Sequence, residues 1–104
     1  MNVDFLVLAR REMDDAFNWY EAQVHGLGYE FLDQIDHAVR RTTVFPASAP
    51  EVEVGLRRVL LNRFPYGLIY GQRESRVVVV AVAHLHREPR YWTDRMTREE
   101  GDRR

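Results

Sequence analysis

The chain has 104 residues, 45% of them hydrophobic and 30% charged, enough for one domain around a single core and too few for two. It has no Cys, which excludes a disulfide, a thiolate nucleophile and a Cys-ligated metal. The net charge of −1 conceals a segregation, since residues 1–54 carry 4 Arg against 10 Asp and Glu, and residues 55–98 carry 9 Arg against 3.

In chain order, residues 3–8 read as a short strand with Val3, Phe5 and Val7 on one face. From Ala9 the period changes to that of a helix, with Ala9, Met13, Ala16, Phe17, Tyr20 and Val24 on its inner side. Glu12, Asp14, Asp15 and Asn18 are placed elsewhere around it, as a solvated face. His25-Gly26-Leu27-Gly28 stops this helix, because Gly accepts left-handed geometry. A second helix runs over 28–44, with Phe31, Leu32, Ile35, Ala38, Val39 and Thr42 inward, until Pro46 and Pro50 end it. Three strands follow, over 56–64, 68–72 and 76–85, with a short turn at Arg73-Glu74-Ser75. Residues 77–82 are apolar on both faces, which marks a central strand. Pro89 breaks the chain, 91–100 read as a short terminal helix, and the tail 101–104 is expected to fray. The fold class is therefore α+β, in the order β-α-α-β-β-β: a helical hairpin packed on a mostly antiparallel sheet, as a single domain over 1–104.

No apolar run approaches the ~20 residues of a membrane span. The N-terminus has no basic region followed by an apolar stretch, so a cytoplasmic protein is the expectation.

Chemistry-bearing residues gather late in the chain. His84 and His86 sit at i and i+2, on the same side of a strand, and one of them could bind or move protons. As a metal site the pair needs a third ligand; none is nearby at ligand spacing, so neither metal nor other cofactor is expected. The cations are all Arg, with no Lys, and the Arg fork suits phosphates and carboxylates. Arg57, Arg58 and Arg63 lie on the first strand of the second half, while Arg87 and Arg90 follow the last strand. With Tyr66, Tyr91 and Trp92 nearby, they could bind phosphates and stack on bases, or receive an acidic disordered partner that folds on binding. The plain alternative is a solvated sheet surface salt-bridged to the acidic helices. Phe64, Tyr70 and Trp92 read more simply as packing residues.

The order of these pieces resembles the RelE/ParE toxin superfamily, over roughly residues 3–96. The resemblance rests on Ala9…Glu12…Ala16…Trp19-Tyr20, Gly28 and Phe31, Arg57-Arg58, Phe64-Pro65-Tyr66 with Ile69 and Tyr70, and Ala81-Val82-Ala83-His84 with Arg87, Pro89 and Trp92. It implies the toxin of a type II toxin–antitoxin module, of the ParE-like plasmid-stabilisation side. Such a toxin is neutralised by a cognate antitoxin and acts on DNA gyrase or another macromolecular target. The other side of the superfamily enters the ribosome and cuts mRNA. On that reading Arg58, His84, Arg87 and Tyr91 are the catalytic set, and Arg57, Arg63, His86, Arg90 and Trp92 bind. Gly67 and Leu60 stand where those nucleases carry cations, so whether the chain is an enzyme stays open. A third alternative is a non-toxic binding module of the same fold. Exposed sheet edges suggest pairing as a homodimer, or within a toxin–antitoxin heterotetramer.

Overall fold

The computed structural model describes residues 2–97. Its elements are β1 (Asn2–Phe5), α1 (Val7–Gln23), α2 (Leu27–Val44), β2 (Glu51–Glu53), β3 (Leu56–Leu60), β4 (Tyr66–Arg73) and β5 (Arg76–His84). The sheet order is β1-β5-β4-β3-β2, with β1 parallel to β5 and every other pairing antiparallel. The helical hairpin covers one face, so the expected α+β layering is what forms.

Small residues let the layers approach. Ala9 and Ala16 are buried on α1, and Phe31, Ile35, Ala38 and Thr42 are buried on α2. The helices cross at Gly28, where a Cβ would stand 2.8 Å from the Phe17 carbonyl oxygen. Gly26 has φ 92, the left-handed geometry expected of this link. The Glu21 carboxylate accepts from the amides of Gly26 and Gly28 at 3.0 Å, which closes the hairpin. Those amides, with His25 beside them, hold the Glu21 carboxyl below its ordinary range.

Residues 77–83 of β5 are all buried, as expected of a central strand. Four features differ most from expectation. The first strand ends at Phe5, because the Leu6 amide closes the ladder on Val79 and the Leu6 carbonyl then starts α1. The strand expected over 56–64 stops at Leu60, because Arg63 takes φ 70 and turns the chain. β2 was not foreseen; it is three residues long, with a register shift against β3. The terminal helix expected over 91–100 is a series of turns to 94, with helix only from 95. Residues 98–100 of that helix and the tail 101–104 lie outside the described residues. No helix among the described residues is long and apolar enough to cross a membrane.

The pleat of β4 decides what each face carries. Tyr66 turns toward the helices, its ring 5.2 Å from that of Phe31. Gly67 therefore faces the other way, where a Cβ would meet the Arg58 stem at 2.9 Å. The chain after β5 crosses this second face. Trp92 is 5% exposed, and a Cβ on Gly71 would meet the Met96 methyl at 2.9 Å.

Candidate binding cleft

Between the sheet and the chain that follows β5 lies a cleft of about 220 Å³, with Ile69 and Ala83 in its lining. Six of the nine residues singled out from the sequence border it: Arg58, His84, Arg87, Arg90, Tyr91 and Trp92. Arg57 and Arg63 do not. Arg57 donates to the Ala49 carbonyl at 2.6 Å, and Arg63 pairs with Glu30 of α2 at 2.8 Å. His86 does not border it either and meets His84 edge to face, ring centroids 5.1 Å apart.

The expected convergence of Arg58, His84, Arg87 and Tyr91 is only partial. The Arg58 stem lies over Gly67 on the face away from the helices, whereas the His84 ring packs at 5.0 Å against Tyr66, which turns toward them. The His86 amide donates to His84 Nδ1 at 3.0 Å. With Nδ1 so engaged, the neutral ring carries its proton on Nε2 and presents a donor there.

The organising group is one that the sequence reading placed on the solvated face. Glu12 of α1 is 14% exposed, and its carboxylate gathers four partners from the far end of the chain. Oε1 accepts from Arg95 at 2.7 Å and from the Val82 amide at 3.1 Å. Oε2 accepts from Tyr91 at 2.5 Å, Arg95 at 3.1 Å and Arg87 at 3.3 Å. Arg95 is 8% exposed and also donates to the Val80 carbonyl at 3.2 Å. Removing one member of so buried a pair strands the other charge, at a cost of about 3–5 kcal/mol. Burial, and the hydrogen bond and charge of Glu12, push the Tyr91 hydroxyl far above its ordinary value; Arg87 and Arg95 oppose this only in part. Tyr91 is thus held as a neutral donor.

Glu12 had a sequence signal. It lies three residues after Ala9 and four before Ala16, both buried, and so on the inner stripe. Arg95 had none beyond its charge.

The surplus in this cluster is cationic. One carboxylate faces two guanidiniums, and Arg95 is fully committed. Arg87 makes one long contact, is 55% exposed, and lies over the Tyr91 ring at 3.8 Å. Arg90 pairs with Glu53. Among the described residues no hydrogen bond or ion pair holds the Arg58 guanidinium. Arg58 and Arg87 thus border the cleft as available cations beside Trp92 and Tyr91, a set suited to oxyanions on an apolar or aromatic carrier. Among the described residues no group of three or more His, Cys, Asp or Glu could hold a metal ion.

Residues 3–89 match the family model described as the ParE toxin of the type II toxin–antitoxin system, parDE. No curated protein matches the chain. A solved structure titled "Chromosomal ParDE TA system from P. aeruginosa" superposes with a TM-score of 0.70 at 15% identity, covering 83% of this chain and 97% of that one. The likeness is one of fold.

Proposed function

The chain belongs to the ParE toxin family of type II toxin–antitoxin systems, and from that premise we propose that it arrests growth by binding a macromolecular target through the cationic cleft. The observation that carries this reading is the family match over residues 3–89. DNA gyrase is the target we favour. Two features support binding over cleavage: His84 Nδ1 is engaged by the His86 amide, and the Tyr91 hydroxyl is tied to Glu12. Gly67 adds to this, because Arg58 covers it where a further cation would have to stand. The second reading, a ribosome-dependent mRNA endonuclease, is favoured by one observation, that Arg58, His84, Arg87 and Tyr91 all border one cleft. A cognate antitoxin would neutralise the protein by laying an acidic, amphipathic segment on Arg58 and Arg87, matching charge to charge.

The test is tight induction of the gene without its antitoxin, with protein and DNA synthesis pulse-labelled in the first minutes. A fall in DNA synthesis with protein synthesis spared is the expected result. An immediate fall in protein synthesis would move the assignment to the nuclease reading. Unchanged growth would overturn the toxin reading for this chain.

A further inference from the structure

β1 leaves the sheet early. It pairs with β5 only from Arg76 to Val79, and the chain then turns into α1. β5 runs on to His84, so its edge beyond Val79 has lost its strand partner. Unpaired amides and carbonyls on such an edge need other partners. Two side chains supply them: Glu12 accepts from the Val82 amide, and Arg95 donates to the Val80 carbonyl. The same two side chains pair with each other at 2.7 Å.

We propose that Glu12 is the clasp of a strap formed by residues 85–97, a positioning residue that stands in for β1 along β5 and thereby sets where Arg87 and Tyr91 meet a partner. The strap has other ties, beginning with the Leu85 amide, which donates to the Pro65 carbonyl at 2.9 Å. Trp92 and Met96 lie on the sheet by shape alone, and Arg90 holds Glu53 at its exposed bend, where its own φ is 68. Asp94 aside, the other described polar anchors of the strap's charged and phenolic side chains end on the Glu12 carboxylate or beside it at Val80. Asp94 has a partner besides these. The arrangement has two tiers. Arg95 is buried and fixes the strap, while Arg87 is half exposed and shares the carboxylate loosely. A partner's oxyanion can take Arg87 without opening the Glu12–Arg95 pair.

The effect on binding rests on the toxin reading, but the clasp itself can be read without it. The full chain with Trp19→Phe leaves Trp92 as the one tryptophan. In that background Glu12→Gln keeps an acceptor for Val82 but loses the charge that holds Arg95, Arg87 and Tyr91. Glu12→Ala loses both. The readouts are acrylamide quenching of Trp92, amide exchange at Val82 against Val78 in the paired part of β5, and thermal unfolding. The expected result is local: Trp92 becomes accessible in both variants while Val78 stays protected. Val82 exchanges faster in Glu12→Ala by roughly ten- to a hundredfold, the fold-change that goes with losing a charge-assisted hydrogen bond. Glu12→Gln with Arg95→Gln, which removes the stranded cation, should restore part of the Trp92 protection. Val78 and Val82 losing protection together would overturn the proposal and leave Glu12 as a general stability residue, and so would Trp92 staying shielded in Glu12→Gln. In cells, growth arrest should weaken in Glu12→Gln. If the wild-type chain itself arrests nothing, the toxin reading fails and the strap measurements still decide the clasp.

Discussion

Glu12 and Tyr91 show how one contact fixes the chemistry of a side chain. The Tyr91 hydroxyl donates to a carboxylate in a half-buried setting, so its proton is held well above the ordinary phenol value of 10.0. In the unfolded chain that proton leaves near the ordinary value. The folded state therefore binds it more tightly, and stability is intact below about pH 10 and falls as pH rises above it. Burial raises Tyr20, Tyr66 and Tyr70 in the same direction, so the alkaline loss is shared. Tyr91→Phe should lower stability near pH 7 by about 1.5–3 kcal/mol, the range for a hydrogen bond to a charged group. It should also make the fall above pH 10 shallower than in the wild type. Denaturant midpoints from pH 7 to 11 measure both. At this scale the sequence revealed the candidates but not their partners. His84, Arg87 and Tyr91 could be named from their place after a central strand, whereas the bond from His86 to His84 and the tie from Tyr91 to Glu12 depend on distances the chain alone does not set.

The helical hairpin shows which element features are legible. Hydrophobic spacing placed α1 and α2 to within two residues, because a helix must turn one stripe to the core. Gly28 is needed for a reason that spacing does not reveal, the approach of its Cα to the Phe17 backbone. Gly28→Ala should destabilise by about 1–3 kcal/mol, as overpacking does where backbone rather than a flexible side chain is in the way. Gly67→Ala meets only the movable Arg58 stem and should cost less. Thermal unfolding of the two variants side by side checks the contrast. β2 escaped notice because three residues between turns carry no periodicity. It forms because β3 offers it an edge.

Across the whole molecule, the acidic first half and basic second half are largely matched to each other. Asp4 pairs with Arg76, Glu12 with Arg87 and Arg95, Glu30 with Arg63, and Glu53 with Arg90. The exposed pairs among these, Asp4–Arg76, Glu30–Arg63 and Glu53–Arg90, contribute little each, about 0–1 kcal/mol. Among the described residues of the basic half, what folding leaves over is the cleft's Arg58 and the loosely held Arg87. An acidic partner should therefore associate faster at low salt, with rates falling about tenfold or more as ionic strength rises. Arg58→Ala and Arg87→Ala should each slow association and flatten that salt dependence, measured by stopped-flow mixing with the antitoxin. Arg63→Ala, whose charge is paired on the far side, should leave both unchanged.

The sequence by itself determined the α+β class, the central strand, the helical hairpin and the family resemblance that the family model bears out. Each of these depends on periodicity, composition or order along the chain, which are local or one-dimensional properties. Tertiary structure alone decided which arginines are spent. Glu12 and Arg95 lie 83 residues apart, and they meet only because β1 ends early and leaves the edge of β5 to be completed by side chains. That meeting ties down Tyr91 and leaves Arg58 and Arg87 available at the cleft.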